Sequence, residues 1–103
     1  MITEIIKGKE IRGEIPYYCI WKSKTGCYNL TIKLYLDDTF SMHSICECKW
    51  FCFYGQSKRN KGKEICRHLI IAYAKILKIS PKEARKNLIK QGIMNNNHLI
   101  NLK

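Results

Sequence analysis

The spacing of a few cysteines and histidines constrains this chain more than any other feature of its sequence. Cys46 and Cys48 are separated by one residue, and Cys66 and His68 form a second pair with the same separation. In an extended segment, residues i and i+2 point to the same side, so Cys46 and Cys48 can direct both sulfurs at one ion. Three thiols and one imidazole are the ligand set of a structural zinc site.

The second pair runs directly into an apolar pattern that predicts a helix over about residues 65–78. Positions i and i+2 of a regular helix diverge, so Cys66 has to lie at or just before the helix start, with His68 in the first turn. A helix N-terminus also stabilises a thiolate, which is the form that binds metal. Four protein ligands leave no position for an activated water. We therefore expect one structural Zn²⁺ and no enzymatic activity.

Two other interpretations of these residues are open. Cys46, Cys48, Cys52 and Cys66 would make a Cys₄ iron–sulfur ligand set, which leaves His68 without a role. Alternatively, the thiols are simply packed in a core beside an unrelated histidine. For Cys19 and Cys27 we expect free thiols, because a turn centred on residues 24–25 does not place them opposite each other.

Strand patterns fill the region before the ligands. Residues 17–21 and 28–36 predict two strands around a turn at 23–26, and alternation puts five side chains of the second strand on one side. These are Tyr28, Leu30, Ile32, Leu34 and Leu36. A third strand is expected over 40–45, and 50–54 is either a short fourth strand or an irregular aromatic segment. Residues 2–15 are ambiguous, because Ile2, Ile5 and Ile6 suit one helical turn that ends at Gly8.

A second helix is expected from Ser80 to Gly92. Ser80 suits the N-cap position, Pro81 the first helical position and Glu83 a capping box. The predicted fold class is α+β: a three- or four-stranded antiparallel sheet, joined by a zinc site to the first of two C-terminal helices. We expect residues 1–103 to form a single domain, with 93–103 as its tail.

The order of these features resembles the SWIM-type zinc finger. That order is strands, Cys-x-Cys, an intervening segment, and Cys-x-His at the start of a helix. The resemblance covers about residues 17–78, including the strand–turn–strand that leads into the first cysteine pair. It implies a compact ββα zinc domain that binds DNA or another protein. It also implies that the four residues corresponding to Cys46, Cys48, Cys66 and His68 hold one zinc. This sequence departs from the family in its long, basic intervening segment and in the extra thiol of Cys52.

The net positive charge of the chain indicates a polyanionic partner. Nineteen Lys and Arg against eight Asp and Glu give a net charge of +11, which favours nucleic acid through phosphate contacts. The interpretation without a partner is that this charge serves only solubility. The candidate contacts lie in an exposed basic loop at 55–63, at the start of the first helix and on the second helix. They are Lys58, Arg59, Lys61, Lys63, Arg67, Lys82, Arg85 and Lys86.

These residues predict binding to nucleic acid, DNA rather than RNA, with low sequence specificity. A helix-turn-helix arrangement of the two helices is a further option. The alternative function is a protein–protein adaptor for a recombination, transposition or ATPase partner, using the aromatic residues at 50–54. We expect no small-molecule substrate and no membrane partner, because the apolar runs are short. Without the pattern of a signal peptide, the expected location is intracellular, in the cytoplasm or nucleoid.

Overall fold

An antiparallel sheet followed by two helices makes up the computed structural model, which describes residues 1–48 and 65–93. The sheet is a meander in the order β1-β2-β3-β4, in which each strand pairs with the next along the chain. The expected α+β class is therefore confirmed, with four strands. The bounds are β1 (Ile2–Lys7), β2 (Glu14–Ser23), β3 (Gly26–Tyr35), β4 (Ile45–Cys46), α1 (Arg67–Leu77) and α2 (Pro81–Lys90).

The β2–β3 hairpin sets the register of the sheet. Its two-residue turn places Ser23 opposite Gly26, whose φ of 150° suits a residue without a side chain. The Ser23 hydroxyl accepts a hydrogen bond from the Thr25 N–H at 3.3 Å, which closes the turn. In this register Cys19 lies opposite Leu30 and not opposite Cys27, and both Cys19 and Cys27 are free thiols as expected.

The core lies between the inner face of the sheet and the two helices. Alternation along β2 and β3 sends every second side chain inward, where α1 packs against β3 and α2 packs against α1. The residues of these elements that belong to the buried hydrophobic core are Cys19, Trp21, Leu30, Ile32, Leu34, Leu69, Ile70, Ala72, Tyr73, Ala74, Ala84 and Leu88. The predicted start of α2 is confirmed, since the Glu83 N–H donates to the Ser80 hydroxyl at 3.1 Å and Pro81 takes the first position. Within the described residues, no helix is long and apolar enough to cross a membrane.

The helical turn suggested for the N-terminus is wrong, because Ile2–Lys7 forms the edge strand β1. A register shift between Ile2 and Glu4 inserts an extra residue into the strand. As a result Ile2 and Ile5, three positions apart, both pack against the core. This bulge gives a strand the apolar spacing of a helix.

The expected third strand at 40–45 is also largely wrong. Phe40 forms an isolated bridge with Leu34, and only Ile45–Cys46 pairs as β4. Between them a turn forms in which the Lys33 N–H donates to the Ser44 hydroxyl at 2.8 Å, so a side chain replaces a ladder bond. Leu36 is 63% exposed and not on the buried side, because β3 ends at Tyr35.

Candidate metal centre

The two Cys/His pairs of the sequence converge on one point. The ligand atoms of Cys46, Cys48, Cys66 and His68 all lie within 4.8 Å of one another. The Cys46 Sγ is 3.9 Å from the Nδ1 of His68, and the three cysteines are at most 3% exposed. A tetrahedral zinc with Zn–S bonds of about 2.3 Å separates its sulfurs by about 3.8 Å. The four side chains therefore lie close enough to hold a single metal ion.

The first pair is positioned by the edge of the sheet. Cys46 lies in β4 opposite Leu30, and Glu47 between the two thiols is bonded to β3 twice. The Glu47 N–H donates to the Asn29 carbonyl at 3.2 Å, and the Asn29 N–H donates to the Glu47 carboxylate at 3.1 Å. The Cys48 N–H in turn donates to the Cys46 Sγ at 3.5 Å. These bonds fix the backbone so that both sulfurs point toward α1.

The second pair is positioned by the start of α1. Cys66 is the N-cap, with φ −75° and ψ 161°, and its carbonyl accepts hydrogen bonds from the N–H groups of Leu69 and Ile70. His68 follows in the first turn. This confirms the expected placement, in which a non-helical Cys66 allows two side chains at i and i+2 to meet.

Two aromatic side chains that the sequence interpretation did not assign to the site hold the His68 imidazole. Its ring meets the Trp21 ring edge-on at 4.6 Å between centroids and lies 5.4 Å from the Tyr28 ring. Trp21 and Tyr28 are directly opposite each other in the hairpin. The two-residue turn predicted at 23–26 implies that pairing, so the signal was present in the sequence.

Hydrogen bonding and burial make the thiols of Cys66 and Cys46 differ in acidity. The hydrogen bond with the Cys46 thiol lowers the pKa of Cys66, and the Leu69 N–H of the first helical turn adds to this against the opposing effect of burial. The same hydrogen bond, together with burial, raises the pKa of Cys46. Within this hydrogen-bonded pair, Cys66 is therefore the thiol that loses its proton more readily. By contrast, burial alone raises the pKa of Cys19 to about 11, as expected for a packed thiol with no ligand role.

The predicted nucleic-acid contacts are distributed over described and undescribed parts of the chain. Lys58, Arg59, Lys61 and Lys63 lie outside the described residues. Arg67 is exposed in the first turn of α1, between two of the metal-site residues. On α2, Lys82 and Lys86 are exposed and Arg85 is half-buried.

The described residues test some of the alternatives to a Cys₃His site and not others. The view of His68 as unrelated to the thiols is wrong, since its Nδ1 lies beside the Cys46 Sγ. The iron–sulfur interpretation needs Cys52, which lies outside the described residues, as do the aromatic residues at 50–54 and His98. His43 is no fifth ligand: its side chain is 70% exposed in a turn and pairs with Glu14 at 2.9 Å.

In comparisons with known proteins, no family model matches this sequence, and no curated protein or solved structure matches it significantly.

Proposed function

We propose that this protein is a zinc-stabilised basic protein that binds nucleic acid, DNA in preference to RNA, with little sequence specificity. The observation that carries the proposal is a net charge of +11 on 103 residues. A nucleic acid neutralised by Lys and Arg releases its condensed counterions, and this supplies most of the affinity of non-specific binding. The partner class follows from the charge, and the SWIM-type resemblance implies binding to DNA or to another protein.

The donor set supports zinc as the metal. Thiolate and imidazole together suit Zn²⁺, whereas Mg²⁺ and Ca²⁺ prefer oxygen ligands. Cys46, Cys48, Cys66 and His68 would complete a tetrahedral shell, leaving no coordination position for a reacting water. The proposed role of the ion is therefore structural, and the protein is proposed not to be an enzyme.

The same ion would couple the fold to binding. Residues 49–65 connect the two ligand pairs, so the metal would fix both ends of the segment that contains Lys58, Arg59, Lys61 and Lys63. It would also fix the start of α1, where Arg67 is exposed. Loss of the metal should then abolish the binding together with the local structure.

Helix α2 supplies further exposed cations. Lys82 and Lys86 are one helical turn apart and lie on the same side of α2, while Ala84 and Leu88 are buried against the core. Cations on a rigid helix suit phosphate contacts, which position a protein on nucleic acid without reading its sequence. Phosphate contacts of this kind do not require insertion of α2 into a major groove.

The test is a titration of labelled DNA duplexes with the zinc-loaded protein at several salt concentrations. The logarithm of the association constant should fall linearly with the logarithm of salt concentration, with nearly one unit of slope per phosphate contact. Duplexes of unrelated sequence should bind within a few-fold of each other. The absence of binding to any single- or double-stranded DNA or RNA at low salt would refute the proposal.

Charge reversal separates this function from the adaptor alternative. Changing Lys58, Arg59, Lys61 and Lys63 to Glu should weaken DNA binding strongly and reduce the salt slope. Lys82→Glu with Lys86→Glu should do so to a smaller extent. The matched control for the double variant is Lys22→Glu with Lys24→Glu at the β2–β3 hairpin. Capture of a partner protein that survives all these reversals would favour an adaptor that uses the aromatic residues at 50–54.

A further inference from the structure

The outer face of the sheet has a chemistry that the metal centre and the basic segment do not explain. Both helices pack into the core on the inner face. On the opposite side, a cleft of about 550 Å³ opens at the end of the β2–β3 hairpin that is remote from its turn. We call it the outer cleft and define it by Arg12, Glu14, Tyr18, Lys33, Tyr35 and His43. Its volume lies within the range of small-molecule and cofactor sites.

Two tyrosine rings are presented in the outer cleft. Tyr18 is 48% exposed and Tyr35 is 42% exposed, although both belong to central strands of the sheet. Tyr18 lies opposite Thr31 and Tyr35 lies opposite Glu14, so the two rings are four residues apart along the hairpin. Four residues of strand span roughly 13 Å. The rings are too far apart to share one planar ligand, and each would take a separate one.

The Tyr18 ring lies close to the backbone at Gly8. A Cβ atom on Gly8 would lie 2.9 Å from the Cγ of Pro16 and 3.0 Å from the Cε2 of Tyr18. Only a residue without a side chain lets β2 and the Tyr18 ring approach the end of β1 so closely. The Gly8 N–H also donates to the Pro16 carbonyl at 2.8 Å, which locks this contact. The Tyr18 ring is therefore packed closely against the backbone at Gly8.

Two cations flank the rings. Lys33 lies opposite Pro16, between Tyr18 and Tyr35 along the hairpin. Arg12 lies in a tight turn closed by the bond from the Ile11 N–H to the Glu14 carbonyl at 2.8 Å. Both residues of that turn have positive φ, 54° for Arg12 and 83° for Gly13, and a non-glycine residue adopts this conformation at a cost. The turn places Arg12 at the rim of the cleft.

The Glu14 carboxylate of the outer cleft already has neighbouring partners. Glu14 accepts a hydrogen bond from the buried Ser41 hydroxyl and pairs with the His43 ring, and its side chain is only 14% exposed. The hydrogen bond from Ser41 lowers the pKa of Glu14, and His43 and Lys33 contribute in the same direction. The acid is thus enclosed by hydrogen-bond donors and positive charge, while the two rings and the Arg12 cation face outward.

We propose that the outer cleft binds a single-stranded nucleic acid, with two non-adjacent bases stacked on Tyr18 and Tyr35 and phosphates contacted by Lys33 and Arg12. Two rings spaced along a hairpin, with Lys33 between them and Arg12 beside the cleft, match a polymer that alternates planar bases and anionic phosphates. The net charge of +11 selects a polyanion over a basic or neutral chain. The inference rests on the proposed function, which is binding to nucleic acid. It assigns the binding of single strands to the outer cleft, a surface separate from the basic segment and α2.

The test begins with the wild-type, zinc-loaded full chain labelled with ¹⁵N and titrated with a six-residue oligothymidine. Backbone amide shifts should concentrate at Arg12, Tyr18, Lys33 and Tyr35. Affinity for a labelled oligothymidine and for a duplex is then compared in the Tyr18→Ser/Tyr35→Ser variant and in its matched control, Tyr18→Phe/Tyr35→Phe. Loss of both rings should weaken single-strand binding by about tenfold or more, with duplex binding changed by less than about twofold. The phenylalanine pair keeps the rings and should bind the single strand nearly as well as wild type.

A charge pair completes the design, with Arg12→Gln/Lys33→Gln expected to weaken single-strand binding more than Lys22→Gln/Lys24→Gln. The inference is overturned if the amide shifts lie only on α2 and beside the metal centre. It is also overturned if the serine pair binds the single strand as well as wild type, or loses single strand and duplex equally. If the wild-type chain binds duplex DNA with the expected salt dependence but its cleft amides do not respond, this inference alone fails. If it binds no nucleic acid at low salt, both proposals fail.

Discussion

The inner and outer faces of the sheet share the same strands but carry different chemistry. Along β2, Cys19 and Trp21 point inward to the core and metal centre, while Pro16 and Tyr18 line the outer cleft. Along β3, Leu30 and Ile32 are buried whereas Lys33 lines the cleft. Successive side chains of a strand point to opposite faces of the sheet. The residues that form the core therefore alternate with those available for recognition. Each face can be perturbed with little direct effect on the other, which makes the division testable.

The largest effect is expected at the inner-face metal centre. Cys48→Ser removes one ligand from the buried cluster, and the remaining three groups would hold zinc poorly while leaving a polar hydroxyl among apolar neighbours. We expect loss of bound zinc and a decrease in unfolding free energy of at least about 3 kcal/mol, or roughly 10 °C or more in Tm. Thermal unfolding and metal analysis measure both.

The control for that variant is Cys27→Ser, which changes an exposed thiol outside the cluster. It should retain one zinc per chain and an unchanged Tm. If Cys48→Ser and Cys27→Ser have the same zinc content and the same Tm, the proposed metal centre does not stabilise the fold.

The next effect compares two apolar residues on opposite faces. Leu30→Ala creates a cavity in the fully buried inner face and should cost about 3 kcal/mol of unfolding free energy. Ile6→Ala removes an exposed side chain of β1, opposite Tyr18, and should cost less than about 1 kcal/mol. Urea titration provides both values. Similar losses of unfolding free energy at Leu30 and Ile6 would mean that another element covers the outer face.

A smaller effect is expected where the hairpin packs against His68, the proposed imidazole ligand. Tyr28→Leu removes one of the two rings that hold the His68 imidazole and should weaken zinc binding by up to about tenfold. Tyr35→Leu, at the other end of β3 and on the outer face, should leave zinc affinity unchanged. Competition with a chromophoric chelator distinguishes them. An equal decrease in both variants would show that the effect comes from general destabilisation.

The smallest effect is expected at Glu14 on the outer face. Because its hydrogen bond from Ser41 lowers the pKa of Glu14 in the folded protein, the carboxylate stabilises the fold above its ordinary value of 4.5. That contribution is lost as the pH falls through the lowered pKa. Glu14→Gln should therefore reduce the unfolding free energy by about 1 kcal/mol at neutral pH and by progressively less in acid.

Chemical denaturation at a series of pH values measures the Glu14 contribution. Glu4→Gln on β1, which changes an exposed carboxylate, is the comparison. If the difference between Glu14→Gln and wild type stays constant down to the most acidic pH at which the protein folds, the interpretation of the Ser41 bond is wrong.

Much of the inner face could be predicted from the sequence. The alternation along residues 28–34 fixes which side of β3 is buried, and the two-residue separation of Cys66 and His68 fixes the start of α1. Ser80 and Pro81 fix the start of α2 in the same way. These patterns are local, so the physics that produces them is visible in a few consecutive residues.

The remaining features depend on contacts between distant residues. The bulge at Ile2–Glu4 gives β1 a helical spacing, and only pairing with β2 reveals it as a strand. The Ser44 hydroxyl ends the expected third strand by bonding to Lys33, a competition that the residue types alone do not decide. The outer cleft combines the β1–β2 turn, the hairpin and His43, and no short motif encodes that combination.

One zinc ion is proposed to join the edge of the sheet to the first turn of α1. The most direct test of this claim is metal analysis of the purified full chain combined with X-ray absorption at the zinc edge. We expect one zinc per chain, bound by three sulfurs at about 2.3 Å and one nitrogen at about 2.0 Å. A protein purified with zinc available that holds no metal, a shell of four sulfurs, or iron with inorganic sulfide would contradict the claim.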